Sequence, residues 1–108
     1  LRNLCDIQNI HVVLTVGGTG VRPTDWAPEA TRNVIDKEIP GIGEAMRSES
    51  LKTVRTAMLS RGTAGIRGDT LIVNLPGSSR GVRENLSVLL PILDHTISKI
   101  SRGTNTPV

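Results

Sequence analysis

His11-Val12-Val13-Leu14-Thr15-Val16 runs straight into Gly17-Gly18-Thr19-Gly20, and Thr70-Leu71-Ile72-Val73-Asn74-Leu75 runs straight into Pro76-Gly77-Ser78-Ser79. Each is a β-branched apolar run of strand length, a turn of small residues, and then a helical pattern, which is the order of an α/β fold. Near-continuous apolar strands imply that both faces of the sheet are covered. After the first turn the pattern predicts a helix over about residues 28–38, ended by Pro40-Gly41. After the second it predicts a helix from Ser78 or Ser79, either of which can cap it, to about Ile100. Val82, Leu86, Leu89, Leu90, Leu93, Ile97 and Ile100 share one face there at helical spacing. Pro91 lacks an N–H and is expected to kink this helix without ending it. Working outward, residues 1–6 read as the end of a helix feeding the first strand, and 43–60 as helical or mixed. Gly65-Ile66-Arg67-Gly68-Asp69-Thr70 reads as a short strand and tight turn. Residues 101–108 form a polar tail, expected to fray.

A chain of 108 residues, 37% hydrophobic, has room for one domain and one core. Its formal charge of +3 comes from 13 basic and 10 acidic residues. The basic residues are spread rather than blocked, which argues against a nucleic-acid arm and for anionic small molecules. One tryptophan and no tyrosine or phenylalanine leave no aromatic platform for stacking single-stranded bases, so the core must be Ile, Leu, Val and Ala. Cys5 is the only cysteine, which excludes an internal disulfide and a cysteine-based zinc site. A reducing cytoplasm is the expected compartment. No apolar run approaches the ~20 residues that span a bilayer, so no membrane partner is expected.

Gly17-Gly18-Thr19-Gly20 directly follows a buried strand. Bare backbone there lets N–H groups approach phosphate oxygens, and the next helix adds its dipole. It is not the dinucleotide fingerprint, since Pro23 stands where the third glycine belongs, and no Gly-Lys-Ser/Thr follows for a P-loop. Asp25, just before Pro28-Glu29, reads either as a carboxylate that favours the helix dipole or as a Mg²⁺ ligand beside a triphosphate. Gly77-Ser78-Ser79-Arg80-Gly81 matches a nucleophile elbow. Its only downstream acid and histidine, Asp94-His95, are adjacent on the same helix and roughly 24 Å along it from Ser79, which excludes a catalytic triad. The elbow is better read as a second phosphate-cradling turn. His11 and His95 lack ligand partners and read as structural or solvated. Among Arg22, Lys52, Arg55, Arg61, Arg67, Arg80 and Arg83, those beside the Gly-rich turns are the candidates for phosphate contacts.

Gly17-Gly18-Thr19-Gly20 through Asp25, Pro28-Glu29-Ala30-Thr31, Met58-Leu59-Ser60-Arg61, Ala64-Gly65-Ile66-Arg67-Gly68 and Leu75-Pro76-Gly77-Ser78 stand in one order over about residues 4–100. In that order and spacing the chain resembles the MogA/MoaB family, which includes the gephyrin G domain and its plant relatives. The resemblance implies a three-layer α/β/α sandwich with a mostly parallel sheet over residues 1–100. It also implies a homotrimer that transfers AMP from Mg-ATP to molybdopterin and releases pyrophosphate, with a molybdenum-insertion domain as a possible partner. By position, Gly17, Gly18, Thr19 and Gly20 hold the nucleotide or pterin phosphate, and Pro76, Gly77 and Ser78 form the second loop. Asp25 serves Mg²⁺ and phosphate charge, and Glu49 and Ser60 match further positions of the pterin and nucleotide site, Ser60 as a catalytic one.

Three departures from the family pattern stand out. Val16 replaces a Thr before the glycines. Asp25-Trp26-Ala27-Pro28 replaces Asp-Val-Thr-Pro, so that Ala27 takes the place of an N-cap Thr, at about 1 kcal/mol. Trp26 offers a ring as a stacking surface or trimer contact. The chain opens on Leu1, whereas the family domain opens with another strand, an Asp-bearing loop and helices; the domain is expected to be partial at its N-terminus. The competing reading from another class is a non-catalytic molybdopterin-binding or trimerising scaffold.

Overall fold

In a computed structural model, which describes residues 1–8 and 10–100, the centre of the molecule is the strand β4 (Thr70–Leu75). All six of its residues are buried. In chain order it is preceded by α1 (Arg2–Asp6), β1 (Val12–Val16), α2 (Ala27–Arg32), β2 (Lys37–Glu38), α3 (Pro40–Leu51), a 3-10 helix (Arg55–Leu59) and β3 (Ala64–Arg67), and it is followed by α4 (Ser79–Ile100). The sheet order is β1-β4-β3-β2. Alternation along β4 sends its side chains to two layers. Leu71, Val73 and Leu75 pack against Ile42 and Met46 of α3 and Leu89 of α4. Ile72 packs on the other face with Val13, Val34, Ile35 and, from α1, Cys5. This is the expected α/β/α sandwich.

Among the described residues the sheet is mixed rather than mostly parallel: β1 pairs with β4 parallel, whereas β4 with β3 and β3 with β2 are antiparallel. The tight turn after β3 sets this, since Gly68 at φ +58° reverses the chain in two residues and leaves no room for a crossover. The helix expected over 28–38 is also shorter. It ends at Arg32, and the chain extends into β2, where Asp36 N donates to Ile66 O and Ile39 N to Ala64 O. Tertiary packing overrides the helical pattern, because Ile35 lies over Gly65, where a Cβ would come within 2.5 Å of it. Pro40 consequently begins α3 instead of ending α2, in the first helical turn where its missing N–H costs nothing.

α4 runs through Pro91 to Ile100, and Ser78 caps it by accepting from Gly81 N at 3.0 Å. Leu90, expected on its buried face, is 58% exposed, and Val88 packs inward instead. β1 is covered on one face only: Val13 is buried, while Leu14 and Val16 are exposed. Its position at the end of the sheet accounts for this. The N-cap of α2 is Trp26, one residue earlier than expected, and it makes no side-chain cap bond. The tail 101–108 lies outside the described residues.

Candidate functional site

The parallel register Val16↔Leu75 brings the carboxyl ends of β1 and β4 side by side, and with them the two Gly-rich loops. Gly17 N donates to Leu75 O at 2.9 Å, and a Cβ on Gly77 would sit 3.5 Å from Gly17 Cα. Gly17 at φ +91° and Gly18 at φ +72° occupy the region that L side chains rarely enter. Gly18 O then accepts from Ala27 N, tying the loop to the start of α2.

Beyond this junction lies a cleft of about 200 Å³, whose rim carries Thr19, Gly20, Pro76 and Ser78 from the two loops and Ser60 from the segment after the 3-10 helix. Of the residues expected at the site, these five converge. Gly17, Gly18 and Gly77 shape the loops from behind. Glu49 does not line the cleft: it lies on α3 and binds Lys52 Nζ at 2.9 Å. Its neighbour Ser50 does, and Ser50 Oγ accepts from Asn85 Nδ2 of α4 at 3.0 Å. Asn85 and Ser50 are both buried. Asn85 could have been found as the polar residue within the apolar stripe of α4; Ser50 carries no such signal. Beside them, Glu84 is held below the usual carboxylate range by the Thr53 hydroxyl first, then by Ser50 and Arg80. Arg80 also lines the cleft, with its guanidinium 2.7 Å from Glu84.

Asp25 lies at the back of the first loop, in a second concavity with Val21, Arg22, Pro23, Trp26, Glu29 and Arg61. Its Oδ2 accepts from Arg22 N at 2.9 Å and lies so close to Gly20 that a Cβ there would be 2.9 Å away. The carboxylate thus lies directly behind Gly20 of the cleft rim, in the space a Cβ there would enter. Glu29 binds Arg61 through Oε2, and its Oε1 is shut off from solvent with no hydrogen-bond partner. The Arg61 hydrogen bond is the main cause holding the Glu29 carboxyl below its ordinary range. Mg²⁺ takes one or two carboxylates, with phosphate and water completing its shell. Two hard-oxygen carboxylates in one concavity, one with an orphaned oxygen, fit that requirement, although no cluster of three or more metal-ligating side chains occurs among the described residues. No helix among them is long and apolar enough to cross a membrane. Trp26 is 64% exposed beside this concavity.

Residues 2–95 match the family model of the probable molybdopterin binding domain. The chain is 46% identical over 100 residues to a molybdopterin adenylyltransferase of Helicobacter pylori, covering 93% of this chain and 57% of that protein. It is 50% identical over 86 residues to the enzyme of the same name from Haemophilus influenzae, covering 80% of this chain and 44% of that one. Among solved structures, the Mog protein of Mycobacterium ulcerans superposes with a TM-score of 0.88 at 45% identity, over 92% of this chain and 64% of that one. The molybdopterin biosynthesis enzyme MoaB of Thermus thermophilus superposes at 0.85 with 49% identity, over 92% and 62%. The chain therefore spans about half the length of the curated relatives it matches. Two abutting Gly-rich loops at the ends of parallel strands, in this three-layer fold and at this identity, place the chain in the molybdopterin-binding domain family of molybdenum cofactor biosynthesis.

Proposed function

We propose that this chain supplies the nucleotide- and pterin-binding part of a cytoplasmic molybdopterin adenylyltransferase that works as a homotrimer. The observation that carries the reading is the convergence of Thr19, Gly20, Ser60, Pro76 and Ser78 on one cleft, in a chain so similar to proteins of that name. A phosphate oxygen of molybdopterin attacks the α-phosphorus of ATP; the new P–O bond forms as the bond to the β-phosphate bridge breaks, and pyrophosphate leaves. The chain's part is to position the two phosphates and to donate to the charge that develops on them. Backbone N–H groups of Thr19 and Gly20, the Thr19 and Ser78 hydroxyls and the dipole at the start of α4 face that charge. Ser60, at the opposite rim, donates to a phosphate or pterin group. Asp25, with Glu29 beside it, would hold Mg²⁺, which neutralises triphosphate charge when bound.

Pyrophosphate release from Mg-ATP tests this in the full-length protein containing the chain. Release that depends on molybdopterin, and falls about 10²-fold or more in Asp25→Asn, is the expected result. Pterin binding without release would leave the second reading, a binding and trimerising module. A gephyrin of Dictyostelium discoideum, 48% identical, is matched over only 12% of its length, so the matched region there is one part of a much longer chain. In a long chain of that kind, a molybdenum-insertion domain is the fitting partner. Sedimentation of the full-length protein tests the trimer.

A further inference from the structure

Arg61 directly follows Ser60, and it reads from sequence as surface charge or as a phosphate ligand. Its hydrogen bonds give it a further role. Its amide donates to Thr19 O at 2.7 Å. Its guanidinium donates through Nε to Gly20 O at 2.7 Å, through Nη2 to Asp25 O at 2.8 Å and through Nη1 to Glu29 Oε2 at 2.5 Å. One residue thus holds three carbonyls of the first loop, one through its amide and two through its guanidinium, and Glu29, in the first turn of α2, orients that planar fork. Those carbonyls face Arg61, so the peptide planes between Thr19 and Asp25 are fixed from behind.

We propose that Arg61 is a positioning residue, which locks the 17–25 loop in its phosphate-accepting shape and couples it to the Ser60 rim of the cleft. The assignment rests on the cleft being the nucleotide and pterin site. Lysine cannot replace it, because an ammonium lacks the rigid fork that reaches three acceptors at once. Freeing the loop disturbs the near-attack geometry more than it weakens binding, so the loss falls on kcat more than on KM.

The test uses the full-length protein with Arg61→Ala and Arg61→Lys, measuring amide hydrogen exchange by segment, pyrophosphate release and thermal melting. In both variants the amides of residues 17–25 are expected to exchange about tenfold faster or more, with exchange in β4 unchanged. Pyrophosphate release falls about 10²-fold, mostly in kcat, and added guanidinium restores part of it in Arg61→Ala. Unchanged loop exchange overturns the proposal, as does a rise of equal size throughout the protein, which would mark Arg61 as general scaffolding. Should Arg61→Ala not fold, Arg61→Lys decides the matter: wild-type loop exchange and release in it overturn the clamp. A wild-type protein that releases no pyrophosphate overturns the functional reading alone, and loop exchange still decides the clamp.

Discussion

Gly18 turns the first loop at φ +72°, and a Cβ there would come within 3.3 Å of Ala27 Cβ. Gly18→Ala is expected to cost about 1–2 kcal/mol from the left-handed backbone alone, read from urea unfolding. Nucleotide affinity, measured by calorimetry, should fall with it. A Cβ on Gly81 would meet Pro76 Cγ at 2.7 Å and Ser78 Oγ at 2.8 Å, so Gly81→Ala should displace the second loop and weaken ligand binding while α4 remains helical by circular dichroism. Thr19 and Ser78 are legible from sequence because they stand in turns of small residues directly after apolar strands, whereas Ser60 is reached only through the family resemblance. The cleft's other wall is less legible. Glu49 is the more conspicuous residue of α3, yet a step of 100° around the helix puts its neighbour Ser50 in the cleft. Arg61 is illegible for another reason: nothing in a sequence shows that a guanidinium will find carbonyls 36 and 41 residues away.

Asn74, next to the last residue of β4, joins the strand to β1, α2 and the segment before β3. Its Nδ2 donates to Thr15 Oγ1 of β1 at 2.9 Å and to Thr31 Oγ1 of α2 at 2.8 Å, and its Oδ1 accepts from Thr63 N at 3.1 Å. Asn74→Leu, of similar volume, strips partners from a buried amide and two hydroxyls and should lose about 3 kcal/mol in chemical denaturation. Element boundaries also carry the pH dependence. Asp6 ties α1 to β3 through Arg67, whose hydrogen bond leads in holding its carboxyl below the ordinary range. Glu84 ties α4 to the end of α3, with Thr53 as the leading cause. For depressed carboxyls the stabilisation is complete above the unfolded values of about 4 and is lost as pH falls through the lower folded ones. Melting temperature should therefore decline below about pH 4, and less steeply in Glu84→Gln. The strands, α4 and the β3–β4 turn are legible because period and turn chemistry agree there. α2 and β2 are not: residues 33–38 keep a helical pattern, and only the Gly65 hollow beneath Ile35 draws them into the sheet.

Across the whole molecule, the energy lies where β4 is sandwiched. Leu89 is fully buried in that layer, whereas Leu90 is 58% exposed. Leu89→Ala should cost about 2–5 kcal/mol and Leu90→Ala within about 0.5, a contrast that equilibrium unfolding reads directly. From sequence the two leucines look alike, since both lie on the arc of apolar residues along α4, and only the docked sheet chooses between them. The same architecture sets an order of assembly. β3 and β4 meet through a two-residue turn, while Thr15 and Asn74, which meet across β1 and β4, are 59 residues apart in the chain. Closing a loop of that length carries an entropy that the hairpin does not, so local contacts form early and the β1–β4 pairing late. The two Gly-rich loops touch only once that late pairing exists. A partly folded chain consequently has no site, and a bound nucleotide acts on one side of the barrier: it slows unfolding while leaving the folding rate nearly unchanged.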